Sequence, residues 1–429
     1  MLEQSHIQKQ KADLIIANAA QIVTCQGDQA DSIGLITDGW IAIVGEKIAA
    51  VGDRETVLSQ VDANQALVID ATNKVVAPGF VDSHTHAVFG GSRVREYAAK
   101  MTVSDPEKLK QLGIQTGVQV SVDMTRQASL EELFESAQSR LNRMLLAGTT
   151  TVEIKTGYGF NTLDELRMLD VNALLDQELE LDVISTFLGA HGWPKDMAKE
   201  AYMDLVIDEM IPLVSERKLA TFCDVWCEDS HFDAKESARI LEAGLKAGLL
   251  PKIHTDAYSY IYGSDLAADM KVISADHLNY TPPAMMRKLA EADVPGVIMP
   301  ALDFAVKHKK PFDARAMIDS GMTVALATDL CPACWTESMQ FVMMLACRQY
   351  AMSPAESIRA ATIGSAKALG LAHDRGSIEA GKLADLQIWD TPMYENVIYW
   401  LGTNVVEQVI KRGKVVVNQT RTPAQLAWH

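Results

Sequence analysis

From residue 76 to about residue 370 the chain alternates short apolar segments with amphipathic segments of helical length. The segments VVAPGFVDSHTH, TTVEIKTGYG, VISTFLGAH, TFCDVWCE, LPKIHTD, VISADH, VPGVIMPA and TVALATD read as strands. Between the first two, SLEELFESAQSRLNRMLLAG places Leu130, Leu133, Phe134, Ala137, Leu141, Met144 and Leu145 near the i, i+3, i+4, i+7 spacing of a helix, and Gly148 ends it. Helices are predicted near 198–214, 233–247, 312–320, 336–349 and 353–369, with shorter ones in between. Repeated strand–helix units imply parallel strands joined by helical crossovers. About eight such strands in roughly 300 residues predict an α/β fold of the (β/α)8 TIM-barrel type over an open doubly wound sheet. No GxGxxG or Walker pattern follows a strand, which weakens a nucleotide-binding reading.

The ends of the chain have a different texture. Residues 13–75 and about 375–420 are short β-rich segments punctuated by Gly, Asp and Asn. They predict a small β-sandwich built from both ends, residues 1–76 with 375–429, flanking a barrel at 77–374. Lys and Arg number 39 against 56 Asp and Glu, a net charge of −17. Such acidity argues against nucleic acid or an anionic membrane as partner and leaves a small-molecule substrate. No apolar run reaches the ~18 residues of a membrane span. The first residues lack the apolar centre of a signal peptide, and six cysteines in so long a chain make no disulfide scaffold, so a cytoplasmic location is expected.

Four of the predicted strands end in residues able to bind a metal: His84 and His86 in DSHTH, His254 in KIHTD, His277 in SADH, and Asp329 in ALATD. In a barrel the C-terminal strand ends share one mouth, so residues more than 240 positions apart can meet. His84 and His86, two apart on a strand, point to the same side. With His254 and Asp329 they make three imidazoles and a carboxylate, a set suited to one divalent ion, zinc or iron, with a position left for water. A single strand-end histidine is ordinarily just a hydrogen-bonded polar residue. Four suitable residues at one register on four strands are harder to explain as packing. Asp329 could accept a proton from water. His277 could orient the water or a developing oxyanion, shuttle a proton, or serve as a further ligand in a two-metal site.

VVAPGFVDSHTH with His254, His277 and ATD ending at Asp329 resembles the amidohydrolase superfamily, in which a small sheet unit from both termini is typical. HTHAVFGGSR, GTTTVEIKTGYG, TFLGAH, FCDVWCE, SDLAADMKVISADH and GSIEAGKLADLQIWD resemble, in order and over nearly the whole chain, the imidazolonepropionase family within it. The resemblance implies hydrolysis of 4-imidazolone-5-propanoate to N-formimidoyl-L-glutamate in histidine degradation. It implies one zinc or iron ion on His84, His86, His254 and Asp329, substrate contacts from Arg93, Tyr158 and His191, and a homodimer. Arg93 can form a two-pronged pair with a carboxylate, and Tyr158 and His191 can hydrogen-bond the ring or the carboxylate. Lys155, in EIKTG, lies where some relatives carry a carbamylated lysine between two metals.

Two stretches depart from the family pattern. Three residues after His254, where Glu or Gln is common, stands Ala257; Asp256 could substitute only if the backbone turned it inward. After Asp329, where Asn-Pro-Gly is usual, stands Leu330-Cys331-Pro332-Ala333-Cys334, and a thiol replaces a strong donor and acceptor. The CPAC pair has the spacing of a redox or structural-zinc motif, whereas Cys223 and Cys227 read as core residues of a strand. These departures keep a second reading open, a related amidohydrolase or deaminase acting on another heterocyclic amide or amidine. A third is a non-catalytic metal-binding barrel, although no ligand position is lost.

Overall fold

The computed structural model describes residues 9–420. Its centre is a parallel barrel of eight strands in chain order: β1 (Phe80–Asp82), β2 (Thr149–Lys155), β3 (Asp182–Ala190), β4 (Phe222–Cys227), β5 (Ile253–Thr255), β6 (Ala275–His277), β7 (Gly296–Ile298) and β8 (Val324–Leu326). Each pairs in parallel with the next. β1 and β8 are joined just beyond their C-terminal ends. There Asp329 N–H donates to the His84 carbonyl at 3.1 Å and His86 N–H to the Leu330 carbonyl at 2.9 Å. Asp82 reinforces the seam, accepting from the Thr328 hydroxyl at 2.6 Å and the Thr328 N–H at 3.2 Å.

Crossover helices cover the barrel where the apolar period places them. Helix Leu130–Leu146 buries Leu133, Ala137, Leu141, Met144 and Leu145, while Leu130 at its first position stays exposed. A capping box between Ser129 and Glu132 starts it. The run expected at 198–214 is helical from Lys199 to Glu216, but widens to a π-turn over Val206–Met210. Pro212 follows directly and has no N–H to give an α-type bond, which accounts for the wider turn. The run near 353–369 widens likewise over Ala360–Gly364. Three short helices, Val94–Lys100, Pro106–Gln111 and Val118–Gln127, fill a stretch after the HxH motif whose sequence has no clear apolar period.

Both termini build one further sheet. Its order is Lys414–Asn418, Val406–Lys411, Leu386–Trp389, Val75–Pro78, Leu14–Val23, Leu35–Val44 and Lys47–Gly52. Most pairs are antiparallel, while Val75–Pro78 and the side strand Leu67–Asp70 run parallel to Leu14–Val23. Period-two alternation gives it two apolar faces. Leu14 and Ile16 pack with Ile41, Ile43 and Leu386, and Ile15 and Ala17 pack with Ala42, Val57 and Val61. A small strand pair, Gln10–Lys11 with Val61–Asp62, lies beside it. The outer ends of the predicted terminal unit, residues 1–8 and 421–429, fall outside the described residues.

The segment VVAPGFVD is not one strand. Val75–Pro78 belongs to the terminal sheet and Phe80–Asp82 to the barrel. The chain changes sheets at Gly79, where a Cβ would stand 2.3 Å from the Thr150 Oγ1 on β2. Beside this junction Phe80 packs on buried Trp389, ring centroids 6.1 Å apart. The start of β3 is tied to the terminal sheet through Asp182, which pairs with Lys411 at 2.9 Å and with Arg375 at 2.5 Å. Gly79→Ala should therefore lower stability by about 1–3 kcal/mol through overpacking, seen as a lower midpoint in chemical unfolding; an unchanged midpoint would show that the junction yields freely.

Candidate metal and substrate site

The residues singled out at the strand ends converge on the C-terminal mouth. His84, His86, His254 and Asp329 are all buried, and His277 ends β6 beside them. The ring of His84 lies 4.4 Å from that of His254 and 5.4 Å from that of His277, centroid to centroid. The backbone there is unusual, since Asp256, His277, Leu278 and Asp329 all have positive φ, rare for residues with a side chain. Strain at successive barrel tips is the kind a functional site retains.

The imidazoles are oriented from behind. His84 Nδ1 lies 2.6 Å from Asp276 Oδ2, His254 Nδ1 lies 2.9 Å from Asp224 Oδ2, and His86 Nδ1 lies 3.3 Å from the Thr156 carbonyl. A proton shared on Nδ1 of His84 and of His86 leaves their Nε2 lone pairs facing the mouth, the arrangement typical of metal-binding histidines, while His254 Nδ1 lies beside Asp224 without hydrogen-bond geometry. His84 Nε2, His254 Nε2 and Asp329 Oδ1 are buried and hydrogen-bond to no protein group. Asp329 Oδ1 stands 3.9 Å from His84 Nε2 and 4.0 Å from His86 Nε2. Those gaps are at most twice a metal–nitrogen or metal–oxygen bond of about 2.0–2.2 Å, so one ion can reach these donors with a small inward shift of the side chains. Overlapping triads within 4.8 Å of one another include His84–His86–Asp329, His84–His254–His277 and His86–His191–His254. His277 and His191 are thus within reach of the same centre.

Burial holds His84, His86 and His254 well below the usual imidazole range, and it pushes His277 and His191 down to about 4. All five are neutral near pH 7, as ligands and hydrogen-bonding groups require. Burial raises Asp329 to about 7.

Lys155 is fully buried, and its Nζ lies 2.7 Å from Glu153 and 2.8 Å from Asp224. Burial opposes its charge, yet Asp224 and Glu153 outweigh burial and hold the ammonium well above its ordinary range. An ammonium has no lone pair with which to take up carbon dioxide, so these contacts count against a bridging carbamate.

Tyr158 and His191 line the mouth. The His191 ring stacks on His86 with centroids 4.8 Å apart, and Tyr158 lies 5.5 Å from both rings. Arg93 caps helix Val94–Lys100 and is already paired: its Nε and Nη2 donate to the two oxygens of Glu96 at 2.6 and 2.7 Å. The fork expected to receive a carboxylate is therefore held by Glu96, and Nη1 remains for a substrate.

Asp256 is not turned into the site. It accepts from the Thr255 hydroxyl at 3.0 Å and the Thr281 hydroxyl at 2.7 Å. Ala257 is buried, and the loop after it hangs on Glu228, which accepts from Tyr258 N–H at 2.8 Å and from the Ser259 hydroxyl. Cys331 and Cys334 face each other across a tight hairpin with reciprocal backbone bonds of 3.0 and 3.1 Å, both thiols free and buried. Cys223 and Cys227 are core residues. Sequence reading missed Asp224, Asp276 and Glu228 as site residues. The available signal was position: Asp224 and Glu228 stand in the strand segment before the one bearing His254, and Asp276 directly precedes His277.

Comparison with known proteins agrees with this geometry. Two models of the amidohydrolase family match, over residues 227–416 and 67–112. Among solved structures, a zinc-bound adenosine deaminase from Xanthomonas campestris superposes with a TM-score of 0.72 at 18% identity, covering 97% of both chains. A zinc complex of atrazine chlorohydrolase from Arthrobacter aurescens also reaches 0.72, at 17% identity over 95% of both. The architecture is that of the amidohydrolases. An imidazolonepropionase from Alkaliphilus metalliredigens is 42% identical over 95% of this chain and 99% of its own. Those from Geobacillus kaustophilus and Halobacterium salinarum are 43% and 41% identical, each over 94% of this chain and 98% of their own. The chain belongs to the imidazolonepropionase family of amidohydrolases.

The buried neutral histidines set an acid limit. Below pH 6.5 the unfolded chain takes up protons that His84, His86, His254, His191 and His277 refuse when folded, each costing up to about 1.4 kcal/mol per unit. Asp82 and Asp329, raised to about 7, offset two of these five, so stability falls as pH falls. Urea unfolding of metal-free protein should give a lower free energy at pH 5 than at pH 7, and a shallower loss in His277→Gln.

Proposed function

We propose that the chain hydrolyses a cyclic amide bond, that of 4-imidazolone-5-propanoate, releasing N-formimidoyl-L-glutamate in histidine degradation. The observation that carries this reading is a full-length relationship to imidazolonepropionases, joined to inward-facing, unpartnered His and Asp donors at the barrel mouth.

His84, His86, His254 and Asp329 would hold one divalent ion, zinc or iron. Such an ion supplies Lewis acidity, lowering the pKa of water and polarising the ring carbonyl. Asp329, standing beside the ion, can take a proton from the attacking water. His277, kept neutral, can donate one hydrogen bond to the oxyanion that forms when the water oxygen joins the carbonyl carbon. The ring carbon–nitrogen bond then breaks and the nitrogen leaves with a proton. Tyr158 and His191 flank the ring, and Arg93 faces the propionate carboxylate with the nitrogen that Glu96 leaves unpaired. A cytoplasmic location belongs to the same reading; separately, no described helix is long and apolar enough to cross a membrane. Division at residues 77 and 374, and a homodimer, complete the reading.

The test is loss of imidazolonepropionate absorbance with metal-loaded protein. Turnover is expected, and Asp329→Ala should lose both metal and activity. No turnover, together with ammonia release from a purine or pyrimidine, would favour a deaminase instead. Arg93→Met should mainly raise KM, by about tenfold or more, for the loss of a charged hydrogen bond of about 1.5–3 kcal/mol; an unchanged KM would remove Arg93 from the carboxylate site.

A further inference from the structure

Beneath the three imidazoles lies a cluster of charges fully enclosed in the barrel. Glu153 and Lys155 on β2, Asp224 on β4, Lys252 before β5 and Asp276 on β6 are all at most 1% exposed. Three carboxylates against two ammoniums leave one negative charge directly behind the mouth. Burying five charges is costly, and such a group persists only when every member is paired.

The pairing has a particular form. Asp224 Oδ2 lies 2.9 Å from His254 Nδ1 and accepts from Lys155 Nζ at 2.8 Å. Asp276 Oδ2 lies 2.6 Å from His84 Nδ1 and 3.5 Å from Lys155 Nζ. In each case one oxygen serves both the histidine and the lysine. The remaining oxygens are fixed too: Asp224 Oδ1 accepts from its neighbour Val225 N–H at 2.7 Å, and Asp276 Oδ1 from the Ser274 hydroxyl at 2.6 Å. Lys155 Nζ lies against both carboxylates behind His84 and His254, which stand on different strands. Lys252 adds its charge to Asp276, but its Nζ makes its direct contacts elsewhere, 3.1 Å from the Ser83 carbonyl and 3.4 Å from Glu153.

From this we infer that Lys155 is a positioning residue for the metal centre. As an unmodified ammonium, it holds Asp224 and Asp276 in the one arrangement that aims the Nε2 atoms of His254 and His84 at a common point. This rests on the reading that these histidines hold the ion, and it assigns the strand lysine a role behind the ligands in place of a bridging one. Without that shared donor the two carboxylates, close together in a dry interior, would repel and turn apart. The imidazoles that lean on them would lose their common aim.

Lys155→Met alone would strand three buried carboxylates, so the experiment uses the charge-balanced E153Q/K155M variant. Zinc alone is titrated into metal-free protein against a chromophoric chelator, with E153Q as control, since Glu153 touches Lys155 but neither histidine. E153Q should bind zinc as the unaltered protein does. E153Q/K155M should bind about 10–100-fold more weakly, the usual effect of losing a group that orients metal ligands, while its metal-free melting temperature stays at that of E153Q. Undiminished affinity in the double variant overturns the inference alone. A failure of the unaltered protein to take up zinc or iron(II) overturns the site reading beneath it. Should the double variant not fold, zinc affinities of D224N, D276N and D224N/D276N decide: losses that are not additive show the coupling through Lys155, and strictly additive losses overturn it.

Discussion

The seam where β1 meets β8 is the constraint on which the site depends. Parallel strands each find their neighbour through a helical crossover, but closing the ring joins residues at opposite ends of the fold: Asp82 and Thr328 are 246 positions apart. Closure is made by two backbone bonds and one buried carboxylate. Those bonds run through the candidate metal ligands, since the His84 carbonyl accepts from Asp329 N–H and His86 N–H donates to the Leu330 carbonyl. A slip of one residue would turn each side chain to the opposite face. The seam therefore sets the register that brings Asp329 to the HxH pair. Burial raises Asp82 to about 7, and donation from Thr328 offsets part of that cost.

A second layer of charge makes the first layer usable. Neutral imidazoles with free Nε2 atoms could settle in either tautomer, and the wrong one would present an N–H to a cation. Asp276 decides the matter for His84 and the Thr156 carbonyl for His86, while Asp224 lies 2.9 Å from His254 Nδ1. The result is a mouth lined by lone pairs, backed by carboxylates, with one net negative charge facing the place where a cation fits.

How much of this the residue order reveals varies with the physics involved. Barrel strands and long helices were legible because burial on one side stamps a period on the chain, as in the helix after Ser129. The strand-end residues were legible because chemistry at a barrel mouth concentrates rare side chains at one register. The sheet change at Gly79 was hidden because Val75–Pro78 and Phe80–Asp82 are both buried apolar segments, and apolar character does not say which sheet receives them. The helices between residues 94 and 127 were hidden because they are short and capped by turns, with few buried residues to mark a stripe. Asp224 and Asp276 looked like ordinary acids, because what makes them part of the site is a partner on another strand. Arg93 stands out in the sequence, but its bidentate attachment to Glu96 does not, although their spacing suits a helical ion pair.

The two departures from the family pattern separate chemistry from grip. In the proposed reaction, proton transfer and carbonyl activation would draw on the histidines and Asp329, and none of those is replaced. What changes is the rim. At Ala257 a polar side chain is absent, while Asp256 is committed to Thr255 and Thr281, so nothing on that turn projects a carboxylate inward. The turn is nonetheless held firmly, because Glu228 binds Tyr258 N–H and the Ser259 hydroxyl. At Cys331 the loop keeps a fixed shape through its reciprocal backbone bonds with Cys334. Its thiol, which burial holds well above the ordinary cysteine range, remains a neutral and weak donor. A ring entering this mouth meets a rigid rim with fewer strong hydrogen-bonding groups than the family usually offers. Under the proposed function its orientation would rest more heavily on Tyr158, His191 and the guanidinium of Arg93, anchored by Glu96.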